Sequence, residues 1–105
     1  MMINKDLIKK ILVGKKTWTC GDKPISKVGR KENLMANKDY SKISGKYLSM
    51  KRIFPKTLGS FTDKEAQKEG FQDLADFRNY WNKHEKKLGQ WENERKVWVH
   101  EFEVV

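Results

Sequence analysis

The last nine residues constrain the fold of this chain more than any other stretch. From Val97 to Val105 the pattern alternates, with Trp98, His100, Phe102 and Val104 on one face of an extended chain. Val97 and Val99 make the opposite face apolar at its start. A strand that is apolar on both faces belongs between a core and a covering helix, not at a solvated edge. Its backbone must also find a partner, and every other residue lies earlier in the chain. The final strand is therefore expected to pair with an earlier one. At 105 residues there is room for one such core and one site, so a single domain over residues 1–105 is expected.

The earlier elements are read by the same periodicities. Leu7, Ile8, Ile11 and Leu12 recur at helical spacing, so residues 4–13 read as a short helix, with Lys5, Lys9 and Lys10 facing out and Gly14 as its stop. Residues 16–20, Lys-Thr-Trp-Thr-Cys, are β-branched and aromatic and read as a strand. Residues 21–31 hold Gly21, Pro24 and Gly29 among charges and read as a loop. Weaker strand patterns follow at 32–37 and 46–54. Thr62 and Glu65 form a capping-box sequence, flanked by Phe61 and Ala66 and ended by Gly70. Leu74, Phe77, Trp81, His84 and Leu88 mark one face of a second helix over about 72–87. The class is α+β: a small, mixed, mostly antiparallel and barrel-like sheet, with an N-terminal helix and two helices before the last strand.

Charge narrows the function. The chain carries a net +9, but residues 1–60 have 15 basic and 4 acidic residues, while residues 61–105 have 8 and 10. A one-sided basic surface captures polyanions. Lys outnumbers Arg 19 to 4, which suits loose phosphate contact better than bidentate base reading. Trp18, Tyr40 and Tyr47 lie among these lysines and could stack on unpaired bases, or could simply pack. A Lys-rich surface serving only solubility, or one that binds an acidic protein, fits the same charge. No apolar run approaches the length of a membrane span, and Ile11-Leu12-Val13 is too short for a signal-peptide core. A lone Cys20 forms no internal disulfide, so a reduced, cytoplasmic setting is expected. Cys20, His84 and His100 match no zinc-ligand spacing, so no metal and no cofactor are expected.

Lys-Ile-Leu-Val-Gly-Lys-Lys-Thr-Trp-Thr (10–19) resembles the opening motif of the ASCH domain family. Phe61–Phe71, Leu74–Trp81 and Val97–Glu103 resemble its two helices and closing strand, in the same order. The resemblance implies a PUA-like β-barrel, a fold related to RNA-binding modules. It also implies a ligand cleft between the Gly14–Thr19 segment and the Glu69–Phe71 helix end. Some family members are amidohydrolases on an acylated cytidine, and the residues matching their motif here are Lys16, Thr19 and Glu69. In that chemistry a desolvated Lys serves as base for a Thr hydroxyl, with a carboxylate to hold the Lys or protonate the leaving amine. The same residues also read as a solvated lysine, a strand former and a helix-surface acid. Ribonuclease activity, also implied by the family, finds no His pair or metal cluster here. Two positions depart from the family: Gly21 stands where an Arg is usual, and Gly29-Arg30 where Gly-Asp is usual.

The leading expectation is an RNA- or nucleotide-binding protein. Its expected contacts are Lys15, Lys16, Thr17 and Trp18 on the motif, Lys23 and Arg30 in place of the missing Arg, and Trp91 as a stacking wall. Trp91 could equally pack, as Trp81 and Trp98 are expected to do between helix and sheet.

Overall fold

The structure, a computed structural model, describes residues 2–3, 5–36, 42–84 and 89–105. The elements in chain order are β1 (Met2–Ile3), α1 (Lys5–Leu12), β2 (Trp18–Gly21), β3 (Lys31–Ala36), β4 (Lys42–Thr57), α2 (Asp63–Lys68), α3 (Leu74–His84) and β5 (Lys96–Val104). A 3-10 turn at Leu58–Ser60 joins β4 to α2. The five strands form one sheet in the order β1-β3-β4-β5-β2. Four of them pair antiparallel, and only the short β1 runs parallel to its neighbour β3. The result is the expected α+β fold, with a curled, half-barrel sheet.

The closing strand behaves as its pattern requires. β5 lies between β4 and β2, pairing Thr19 with His100 and Phe54 with Val99. Val97, Val99, His100 and Phe102 are all buried, so both faces are covered where the sequence is apolar on both. β4 is longer than the 46–54 expected, because it continues through Pro55 to Thr57. Proline lacks the N–H for a ladder bond and is tolerated where one flank is unpaired. β3 pairs with β4 only between Lys42 and Ser49, so beyond that point β4 has β5 alone as neighbour.

Around the sheet, Leu7 and Ile11 of α1 join Leu34 and Leu48 in the core. Trp18, Phe61, Phe77 and Trp81 meet edge to face in a chain of aromatic rings, and Phe71 stacks on Phe77. The capping box forms: Thr62 Oγ1 accepts from Glu65 N–H while Glu65 Oε1 accepts from Thr62 N–H. α3 begins at Leu74 instead of residue 72 and is described to His84, residues 85–87 of the expected helix lying outside the described residues. Leu88, expected on its apolar face, and Tyr40 lie outside the described residues.

Candidate functional site

The site is built where α1, β2 and the end of α2 converge. α1 stops at Gly14, whose φ of +79° favours glycine, and whose N–H bonds Ile11 O. Lys15 and Lys16 both donate their backbone N–H to Lys10 O. Thr17 donates to Lys68 O, and Thr17 O accepts from Phe102 N–H. The 14–17 segment is thus tied to α1, α2 and β5 before β2 begins. Lys16 keeps the alternation of the strand that follows: its side chain turns inward on the side of Trp18 and Cys20, opposite Thr17 and Thr19.

Lys16 is only 2% exposed and Glu69 3%. Lys16 Nζ lies 3.5 Å from Glu69 Oε1 and donates to Glu69 O at 2.8 Å and to Trp18 O at 2.7 Å. These three acceptors match the three N–H groups of an ammonium. Glu69 Oε2 accepts from Cys20 Sγ at 3.2 Å. So both oxygens of this buried carboxylate are engaged. Alternation along β2 puts Thr19 on the opposite face from Cys20, beside its ladder partner His100. Of the three residues named by the amidohydrolase motif, Lys16 and Glu69 are in contact, while Thr19 stands on the far side of the strand from the residue that touches Glu69.

The end of α2 is closed by two lysines. Lys16 takes Glu69 O, and Lys10 Nζ takes Gly70 O at 2.6 Å. Cations suit the unpaired carbonyls of a helix C-terminus. Gly70 makes the convergence possible. Its φ is +102°, and a Cβ there would stand 3.3 Å from both Lys10 Cδ and Lys16 Cβ.

Two cavities flank the segment. One, of about 390 Å³, is lined by Lys10, Lys15, Gln67, Gly70, Phe71 and Gln72. It lies where the sequence places the ligand cleft. The other, of about 340 Å³, is mainly apolar; Lys16, Thr17 and Phe102 contribute to its wall.

The remaining expected contacts are dispersed. Trp18 is a correction: it is 2% exposed, packed edge-on against Phe54 and Phe61, with Lys68 Nζ 4.9 Å over its ring and its indole N–H on Glu101 Oε2. No open ring face is left for a base. Lys23 is exposed and Arg30 pairs with Glu32; neither lines the two cavities. Trp91 packs edge-on against Phe77 and Trp81 beneath Arg78, also away from them.

Lys10 and Cys20 join the site although the sequence reading did not place them there, and buried His100 lies beside Thr19 on the other face, within electrostatic reach of Glu69. Lys10 reads as outward on an isolated helix, and its role depends on where α2 ends. His100 is 1% exposed and its Nε2 accepts from Ile25 N–H, so in the neutral ring the proton sits on Nδ1. Burial pushes its pKa below the ordinary histidine value, against the pull of the Thr19 and Trp98 backbone and the Glu69 charge. The unfolded chain therefore takes up a proton near pH 6.5 that the folded chain refuses, and stability falls as pH drops through that value. The hydrogen bond from Arg52 holds Glu101 below its ordinary value, so a second loss begins below about pH 4.5. Thermal unfolding between pH 7.5 and 5.5 is expected to show a decline of a few degrees. A flat profile over that range contradicts the burial of a neutral His100.

Among the described residues no three His, Cys, Asp or Glu side chains gather as metal ligands. None of the described helices is long and apolar enough to cross a membrane.

No family model and no curated protein matches the chain by sequence. Solved structures do match. An ASCH domain from Lactobacillus crispatus JV V101 aligns with a TM-score of 0.67 at 17% identity, over 91% of this chain and 68% of that one. A protein from Enterococcus faecalis V583 aligns at 0.66 and 16% identity, over 95% and 67%. A variant of the ASCH protein of Zymomonas mobilis aligns at 0.66 and 16%, over 98% and 66%. This chain thus spans about two thirds of each neighbour's length. Element order, sheet topology and these alignments agree that the chain has the fold of an ASCH domain.

Proposed function

We propose that this protein binds RNA or a nucleotide-like ligand in the cleft between residues 14–17 and the end of α2. The observation that carries the reading is the lining of that cleft: two lysines and two glutamines, with no carboxylate among the described residues. Such a lining favours an anionic ligand that also offers hydrogen-bonding edges. The basic first sixty residues support it by raising the local concentration of polyanions. Filter binding of single-stranded RNA over a salt series tests it. With two lysines on phosphates, log affinity is expected to fall against log salt with a slope of about −1.4. Absence of binding at low salt, or binding indifferent to salt, contradicts the reading.

The second reading is an amidohydrolase on an acylated cytidine. The buried Lys16–Glu69 contact favours it, since it brings together two of the three residues of that motif in a site shielded from water. The place of Thr19 weighs against it. Incubation with N4-acylcytidines, with chromatography for released cytidine, decides between the two. Turnover that Lys16→Ala abolishes supports the hydrolase; no turnover, or equal turnover by the variant, removes it.

A further inference from the structure

The cleft carries more information than its overall charge. Lys10 reaches it from the last turn of α1 with its side chain already ordered. Its ammonium is fixed by Gly70 O at 2.6 Å and lies 5.3 Å from the centre of the Phe71 ring. A free surface lysine loses rotamer entropy when it grips an anion, whereas Lys10 has lost much of it on folding. One of its three N–H groups serves Gly70, and the others remain for a ligand. Lys15, exposed, supplies a second cation on the same cleft. Gln67 donates its side-chain amide to Gln72 O, which ties the opposite wall together. Two cations with no lining carboxylate match a phosphomonoester, which carries about −1.5 to −2 charges at pH 7, and give nothing comparable to an uncharged nucleoside.

We propose that Lys10 and Lys15 hold a phosphoryl group in this cleft, so that the protein takes nucleotides in preference to the corresponding nucleosides. The inference rests on the reading of the cleft as a nucleotide or RNA site and names the group it recognises. Lys10 is the anchor and Lys15 the second contact. The phosphoryl group is supplied either by a free nucleotide or by the RNA backbone.

Titration calorimetry on the intact protein tests this with five probes: cytidine, adenosine, their two 5′-monophosphates, and an unphosphorylated oligoribonucleotide whose phosphates are all internal. The monophosphates are expected to bind at least tenfold more tightly than the nucleosides. Lys15→Met, a substitution at an exposed position, is expected to lower that ratio several-fold, and Lys10→Met to lower it further. Lys10→Arg, which keeps the charge, is expected to restore most of it. Thermal unfolding of each variant separates loss of the Gly70 contact from loss of the anion. If the oligoribonucleotide binds, the monophosphates do not, and Lys10→Met abolishes that binding, the phosphoryl site stands with RNA as its source. Measurable binding of nucleosides and monophosphates with equal affinity overturns the phosphoryl assignment and leaves the nucleotide reading intact. A monophosphate preference untouched by both methionine variants also overturns it. No binding by any probe removes the underlying reading as well.

Discussion

Lys16→Met is expected to cost about 3–5 kcal/mol of folding stability, the usual result of breaking a buried ion pair from one side. The substitution leaves a carboxylate that is 3% exposed in the wild type with Cys20 as its remaining donor among the described residues. It also leaves Glu69 O and Trp18 O without their ammonium donor. A double variant, Lys16→Met with Glu69→Gln, removes the stranded charge and is expected to recover part of the loss. Urea unfolding of both variants at pH 7.5 reads the two effects. A cost below about 1 kcal/mol in the single variant, or no recovery in the double variant, would mean that Lys16 is not the counterion of a buried carboxylate.

Trp18→Ala is expected to cost about 3–5 kcal/mol, as for other buried aromatic truncations. The ring fills the angle between Phe54 and Phe61, at centroid distances of 5.4 and 6.2 Å, and its N–H meets Glu101 at 2.8 Å. A tryptophan that stacked on bases would behave differently: its loss would weaken RNA binding and leave unfolding nearly unchanged. Denaturant unfolding and RNA filter binding of the same variant separate the two roles. Trp18→Phe keeps most of the buried ring and is expected to lose less stability.

The elements that could be read in the sequence were those whose signal is local. The apolar stripe of α1, the Thr62–Glu65 box and the two-faced pattern of Val97–Val105 each contain their own instructions. β1 has no local signal, because two residues have no period and are held by tertiary contacts, the pairing with Met35 and Ala36 and the burial of Ile3 in the core. The extension of β4 to Thr57 was hidden by Pro55, which argues against a strand unless one flank is known to be open. In the site, the position of the cleft and the meeting of Lys16 with Glu69 followed from the motif resemblance. Its other members did not. Cys20 and Thr19 are neighbours in sequence on opposite faces of β2, and which one meets Glu69 depends on which side of the strand the end of α2 packs, a tertiary arrangement with no local signal. Lys10 belongs to the charged face of α1 and reaches Gly70 only because the two helix ends abut. Arg30 and Lys23, proposed to replace a missing arginine, sit in a loop whose path has no local code.

The central claim is that the cleft between residues 14–17 and the end of α2 is the ligand site. Two-dimensional NMR of the backbone amides during titration with a short single-stranded RNA, and separately with cytidine 5′-monophosphate, tests it most directly. The account predicts the largest shift changes at Lys15, Lys16, Gly70, Phe71 and Gln72, around the lining of the 390 Å³ cavity. Changes confined to the β3–β4 side, around Lys31 and Lys46, with the cleft amides unmoved, would contradict it.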